Sequence, residues 1–503
     1  MPSPSAGMTK ERTGGDQNMS GDNLTPEQRF VFDYVERNAK AIALTGDNIF
    51  YFAELGMQEF ETAALMTDLL EKGGFKVERG ISGFPTGFCA TYGSGHPVVA
   101  IHTEYDSCPD NSQVSGVAEP KFIVEGAPGH CEGHNVNAAV LVATALAARQ
   151  AMDKFGLKGT LKVFGGPAEE QLVSRPYFVR DGWFDDVDLA FHNHIGGEFS
   201  ATHGLLQSAL ISATFTFHGE TAHAGVAPWN GRDALDGVVL MDVGMAQYRE
   251  HMRPEMRVHR VITNGGDQPN VIPRTAAVWW FFRDQTAEGA VKLFEQAKKI
   301  AQGAALMSST EVSVDVLSAV WPLRCNRTLA ELLQRHIEPI GMPAWTAEED
   351  ALARALQGKA NVKVEGLKRE TTPLRGSSTP RTSANDAGDI SWKVPMAKFY
   401  YPSNVPNVTF HHWAGGVTLA HSIAHKGAVA GSKAFAAAVV ECFANPAVLA
   451  EARRTFKEEL GGVEYKSMLP AEQKPPVALN RAIMEKFRPE MRKHYLNERP
   501  EFS

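Results

Sequence analysis

Short apolar runs of strand length alternate with longer stretches of helical apolar spacing, and this alternation restricts the possible folds more than any other feature of the chain. Residues 97–103 (PVVAIHT) and 159–165 (GTLKVFG) read as strands, whereas residues 135–152 between them carry small apolar side chains at helical spacing. Such a pattern predicts an α/β layer, a mostly parallel sheet flanked by helices. Upstream, Thr25 reads as an N-cap with Pro26 at the first helical position. Apolar Phe30, Phe32, Val35 and Ile42 then recur at helical spacing, and a second helix is expected over residues 59–72.

Around residue 206 the texture changes. Residues 208–218 (SALISATFTFH) and 271–282 (VIPRTAAVWWFF) read as half-buried antiparallel strands, with helices expected over 231–249 and 286–304. This predicts a small α+β domain inserted into the larger one. After residue 317 the first texture resumes, through 386–392, 409–411 and an Ala-rich helix over 423–443. The expected organisation is a polar leader at 1–25, a large domain in two pieces, 26–205 and 318–503, and an insert at 206–317.

Composition excludes several function classes. With 503 residues the chain is too long for one core, and 43% hydrophobic with 21% charged residues matches a globular enzyme. Its 50 Lys and Arg against 58 Asp and Glu leave a net charge of −8, which argues against a nucleic-acid partner. The longest run of small apolar residues, 138–148, is too short to cross a bilayer, which needs about 20 residues. No membrane partner is expected. The leader lacks the apolar core of a signal peptide, and Cys89, Cys108, Cys131, Cys325 and Cys442 are too scattered for a disulfide framework. A reducing cytoplasm is the expected location.

The densest chemical signal is residues 129–135 (GHCEGHN), which place His130, Glu132 and His134 where a loop enters a helix. A tight Gly-flanked turn there can converge imidazole and carboxylate groups on one metal ion, although a capping loop with hydrogen-bonded histidines would read similarly. The 159–165 strand leads into Gly166-Pro167-Ala168-Glu169-Glu170, two adjacent carboxylates at the sheet edge where α/β proteins bind ligands. One can hold a metal while its neighbour takes a proton from the metal's water, whereas in isolation such a pair is commonly a solvated surface feature. Residues 188–194 (DLAFHNH) end a third strand in His192 and His194, of which His194 is the better ligand candidate and a satisfied core histidine the alternative. In the insert, His223 lies among small residues on a turn. Towards the C-terminus, His421 and His425 stand four apart, and either could be a last ligand. Arg283, after the Trp279–Phe282 run, suits a substrate carboxylate or a structural salt bridge equally. Trp229, Trp279, Trp280 and Trp413 read as core packing.

In this order, GHCEGHN (129–135), GPAEE (166–170), the His194 strand end, HGETAHAGVAPWNGRDALD (218–236), NGGDQPNVIP (264–273), SANDAGDISW (383–392), HSIAHKG (421–427) and YKSMLPAEQKPP (465–476) resemble a known family. It is the metal-dependent aminoacylase and carboxypeptidase family of metallopeptidases and amidohydrolases, in its aminobenzoyl-glutamate hydrolase branch. The resemblance implies metal ligands at Glu132, His134, Glu170, His194 and His421, with Glu169 as general base. It also implies that the insert pairs two subunits into a homodimer or higher homo-oligomer, that His223 stabilises the oxyanion in the neighbouring subunit's site, and that Asn270 contacts substrate.

One departure stands out. The branch usually carries cysteine at the position of Glu132, whereas here Cys131 sits one place earlier. A one-residue shift redirects a side chain, so Glu132 is the expected ligand, with Cys131 an open alternative. Carboxylate suits Mn2+ better than Zn2+, so one or two divalent ions are expected, Mn2+ favoured and Zn2+ the alternative. The implied activity is hydrolysis of a C–N bond in a small aromatic carboxylate. Its sharpest form is deamination of 5-nitroanthranilate to 5-nitrosalicylate and ammonia by a metal-activated water. The first alternative is cleavage of an N-acyl amino acid or aminobenzoyl-glutamate, and the second is a ligand-binding relative without turnover.

Overall fold

The computed structural model describes residues 24–380 and 383–503, so the expected leader lies outside the described residues apart from Leu24 and Thr25. Thr25 caps the helix Pro26–Arg37: its Oγ1 accepts the Gln28 amide at 3.2 Å, and Gln28 Oε1 accepts the Thr25 amide at 2.9 Å. Two amide donors that the helix leaves unpaired are thereby satisfied.

In chain order the strands are β1 (Lys76–Arg79), β2 (Phe88–Ser94), β3 (Val98–Thr103), β4 (Gly159–Gly165), β5 (Leu189–Gly196) and β6 (Ser200–Gln207). The insert then contributes β7 (Ala209–His218), β8 (Arg257–Asn264), β9 (Thr275–Asp284) and β10 (Glu311–Val320). The chain returns to the large domain as β11 (Leu323–Cys325), β12 (Arg375–Ser377) and β13 (Met396–Pro402). The large sheet has the order β1-β2-β4-β3-β5-β13-β6-β11, with β12 also on β6.

Its centre, β4-β3-β5-β13, is parallel, as the alternation predicts. Its flanks pair antiparallel, so the sheet is mixed. The reason is connection length. Only residues 95–97 separate β2 from β3 and only 197–199 separate β5 from β6, too few for the helical crossover that a parallel return requires. Central strands are buried throughout: every residue of β3 is enclosed. Helices His134–Phe155 and Ser422–Ala444 pack on one another and against this centre, their many alanines allowing close approach. Phe435 of the second helix meets Phe399 and Phe191 at ring-centroid distances of 5.2 and 6.2 Å. Although Ser422–Ala444 is long and apolar enough to cross a membrane, it is mostly buried inside this domain.

The insert is a four-stranded antiparallel sheet, β10-β7-β9-β8, with the helices Ala234–Tyr248 and Ala287–Ser308 packed on it. Both expected strands and both expected helices are present. β9 begins at Thr275 rather than 271, since Val271 to Arg274 belong to the turn that pairs with the His223 loop. β8 (RVHRVITN) and β10 (EVSVDVLSAV) escape the sequence reading because exposed polar residues dilute their apolar pattern. In β9 the alternation is regular: Ala276, Val278, Trp280, Phe282 and Asp284 face inward.

Candidate metal centre and general base

Three parallel strands deliver their polar residues to one sheet edge. β3 runs into Glu104, Asp106 and Cys108, β4 into Glu169 and Glu170, and β5 carries His192 and His194. Ligand sites of α/β proteins lie at this carboxyl edge. The 129–135 loop closes over it. Gly133 has φ +76°, and a Cβ there would come within 2.1 Å of the Ile195 side chain, so only glycine lets the helix start at His134 against β5.

His134 is buried, and its Nδ1 lies 3.2 Å from Asp106 Oδ1 and 3.1 Å from the Asp106 carbonyl oxygen. Its Nε2, equally buried, has no hydrogen-bond partner among the described residues. A buried imidazole held by a carboxylate on one nitrogen and bare on the other fits a metal ligand. Ligand atoms of Glu132, His134 and Glu170 lie within 4.8 Å of one another, as do those of Cys108, Glu170 and His411, and those of Glu104, His134 and His194. His194 Nε2 is 3.5 Å from Glu132 Oε1, and its Nδ1 is 2.9 Å from the Ile195 carbonyl oxygen, which orients the ring. The donor set is rich in carboxylate and imidazole, so these residues fit divalent cations.

The electrostatics agree. Burial opposes charge on His134, but Asp106, Glu104 and Glu170 outweigh it and hold the imidazole well above its usual pKa. Burial would also raise the Glu132 carboxyl, yet the hydrogen bond from His411 and the nearby His194 and His134 bring it down to about 2. Burial lowers His194 to about 4. Protons on imidazoles thus balance the carboxylates where a cation would otherwise do so.

The structure brings His411, rather than His421, to this cluster. His411 Nε2 lies 2.7 Å from Glu132 Oε2 and 3.0 Å from Glu170 Oε2, and hydrogen bonds to these two carboxylates push its pKa up to about 12. Its backbone is left-handed at φ +57°, a strained conformation for a residue with a side chain. His421 is instead the N-cap of Ser422–Ala444, its Nδ1 accepting the Ile423 amide at 3.3 Å. His425 pairs with Asp47 at 2.8 Å, and His130 faces the Ile49 carbonyl oxygen at 3.1 Å.

Glu169 stands beside the cluster, its Oε2 3.8 Å from His134 Nε2. Asn385 Nδ2 donates to its Oε1 at 2.5 Å. Burial raises its pKa well above the ordinary carboxylate range, a shift that suits a proton acceptor. The preceding Ala168 is also left-handed at φ +57°, with its amide donated to Glu59 Oε1 at 2.8 Å. Behind the site, buried Arg175 bridges Glu104 and Asp386, and His192 Nε2 sits 2.8 Å from Glu104 Oε2.

The insert contributes differently. Burial lowers the pKa of Arg283 on β9 while Glu169 raises it, so the guanidinium lies within electrostatic reach of that carboxylate. His223 and Asn270 lie together on an exposed loop pair, joined by the Ala224 amide donating to the Asn270 carbonyl oxygen at 3.1 Å and by the bridge between His223 and Val271. Neither belongs to the ligand groups formed within one chain. Trp280 is core, but Trp229 is 73% exposed near His223, contrary to the packing expected of it.

Sequence reasoning missed Glu104, Asp106, Cys108, Arg175, Asn385 and His411. A signal existed for the first three, because EYDSCPD directly follows a strand whose edge was already carrying ligands.

A family model described as peptidase dimerisation domain matches residues 206–306. A p-aminobenzoyl-glutamate hydrolase chain of Escherichia coli (strain K12), the second of that enzyme's two subunits, is 32% identical over 473 residues, covering 89% of this chain and 98% of that one. The chain belongs to the M20 family of metallopeptidases and amidohydrolases. Xaa-Arg dipeptidase of Mus musculus is 28% identical, covering 75% of this chain and 79% of that one. Among solved structures, the aminobenzoyl-glutamate utilization protein from Klebsiella pneumoniae superposes with a TM-score of 0.56 at 18% identity, over 81% of this chain and 98% of its own. A dinuclear metal-binding M20 peptidase of Bacillus subtilis gives 0.52 at 18% identity, over 81% and 99%. This M20 protein is therefore a hydrolase of amide or peptide C–N bonds, with an α/β catalytic domain and an inserted dimerisation domain.

Proposed function

We propose that the protein hydrolyses the C–N bond of a small aromatic carboxylate at a two-metal centre, an aminobenzoyl-glutamate-type amide being the substrate class that its relatives support. The observation carrying this reading is the sharing of Glu170 between two ligand groups, with unpartnered His134 Nε2 in one of them and Glu169 alongside. We assign the ligands as Glu132, His134, Glu170 and His194, with His411 in the position first expected of His421. The carboxylate and imidazole donors favour Mn2+ over Zn2+. When bound, the ions supply Lewis acidity and lower the pKa of a water molecule.

Glu169 takes the proton of the attacking water at a carboxylate oxygen and returns it to the departing nitrogen. Asn385 fixes one of its oxygens so that the other faces the substrate. Arg283 pairs with the substrate carboxylate. His223 and Asn270, exposed on the insert, complete the site of a second subunit, which implies a homodimer at least.

A second reading, ring deamination of 5-nitroanthranilate, is favoured by Glu132, a carboxylate where the resembling branch usually has cysteine. Water addition at the amine-bearing ring carbon gives an oxyanion-type intermediate that the same groups serve. The test is to incubate the Mn2+-loaded protein separately with aminobenzoyl-glutamate and 5-nitroanthranilate, with Glu169→Gln as control. Aryl amine released from the first establishes amide hydrolysis, ammonia from the second establishes deamination, and neither product would overturn the proposal.

A further inference from the structure

We propose that Cys108 supplies a thiolate to the ion held by Glu170 and His411, so that the two halves of the centre differ in chemical softness. The inference rests on the two-metal reading above and adds a donor to it. Cys108 follows β3 by five residues and is locked in place by paired backbone bonds. Its amide donates to the Gly129 carbonyl oxygen at 3.1 Å, and the Gly129 amide returns the bond at 3.0 Å. The chain is thereby stapled to the loop that carries Glu132 and His134. The Cys108 thiol is buried and donates to Glu170 Oε1 at 2.8 Å. Its sulfur, a Glu170 oxygen and a His411 nitrogen lie within 4.8 Å of one another, a spread compatible with a common ion bonded at about 2.0–2.3 Å to each.

Glu170 is the hinge between two unlike donor sets. On one side stand Glu132 and the unpartnered Nε2 of His134, all oxygen and nitrogen; on the other stand Cys108 and His411. The adjacent Cys131 thiol contacts Cys108 but belongs to no ligand group, so Cys108 rather than Cys131 is the sulfur of the site. Ligation breaks the S–H bond of Cys108, forms a sulfur–metal bond and releases one proton to solvent, with no change of oxidation state. A thiolate draws softer ions such as Zn2+ and Co2+ to this half, while hard Mn2+ suits the other.

Cobalt makes the sulfur visible, because thiolate ligation of Co2+ produces a near-ultraviolet charge-transfer band that oxygen and nitrogen donors do not. The metal-stripped full chain is titrated with Co2+, following this band together with bound cobalt by equilibrium dialysis. The expected result is a band in the wild type and in Cys131→Ser. In Cys108→Ser and Cys108→Ala the band is lost and one cobalt is bound about 10- to 100-fold more weakly. The alanine variant controls for a serine oxygen entering the site, and unchanged thermal melting of the metal-free variants shows that they fold. Cobalt bound by the wild type without the band overturns the role of Cys108 but leaves the metal centre standing. A band that survives in the Cys108 variants, or disappears in Cys131→Ser, overturns it equally. Failure of the wild type to bind cobalt at all overturns the metal centre itself and the thiolate with it.

Discussion

The sheet edge and the exposed tip of the insert hold the two halves of the proposed chemistry, and they are built in opposite ways. At the edge, His134, Glu169 and Glu104 are almost wholly buried and each is held by further side chains: Asp106, Asn385, and Arg175 with His192. At the tip, His223 and Asn270 stand in solvent, held mainly by backbone contacts of their own loops. A group that must hold metal ions or a proton benefits from rigid, desolvated surroundings. A group that serves another chain must stay accessible until that chain arrives. Edge strand β8 carries exposed Val261 and Ile262, and the helix Ala234–Tyr248 exposes Val239 and Val243, so the insert also offers the apolar surface that pairing needs.

The contrast is broken most directly at Glu169. Replacing it by Gln should lower kcat by about 10²–10⁴-fold. Metal content, read by elemental analysis, should not change, and a loss of bound metal would show that Glu169 is a ligand instead. At the tip, His223→Ala should lower kcat by about 10²–10³-fold. Because His223 is exposed, thermal stability should shift by no more than about 0.5 kcal/mol. Mixing His223→Ala with Glu169→Gln subunits should restore part of the activity, since a hybrid dimer contains one intact site. If the mixture stays inactive, the tip does not act across an interface.

Smaller effects sharpen the account of the edge. Asp106→Asn keeps the shape but weakens the grip on His134 and on the Glu170 amide, which Asp106 Oδ2 accepts at 2.9 Å. Metal affinity, measured by calorimetric titration, should fall by about 10- to 100-fold. The smallest effect is expected at His421. His421→Ala removes a helix cap and should destabilise by about 1 kcal/mol or less in a denaturant titration. It should leave metal stoichiometry intact, whereas His411→Ala should not. The reverse outcome would return His421 to the metal centre.

Much of the site was legible because its motifs are local. GHCEGHN places three potential ligands within five residues, and a loop entering an Ala-rich helix has few other uses for them. Glu169-Glu170 and His194 were readable because apolar runs marked β4 and β5, and strand ends are where such folds place chemistry. The insert's inner strands were equally plain, while β8 and β10 were not, since a half-exposed strand has no clean alternation to detect. His421 drew attention through its spacing to His425, yet that spacing reflects a cap and an ion pair with Asp47.

The sequence by itself determined the α/β framework, the inserted domain and the carboxylate and imidazole character of the centre, because each is written in residues close together along the chain. Only the tertiary structure decided that His411 meets Glu132 across 279 residues, that Asn385 reaches Glu169 across 216, and that Cys108 closes on Glu170. Periodicity and motif spacing record chain neighbours. Which distant side chains share a cavity depends on strand order, on the short connections at 95–97 and 197–199 that reverse the sheet's flanks, and on left-handed backbone at Ala168 and His411 that no local pattern announces.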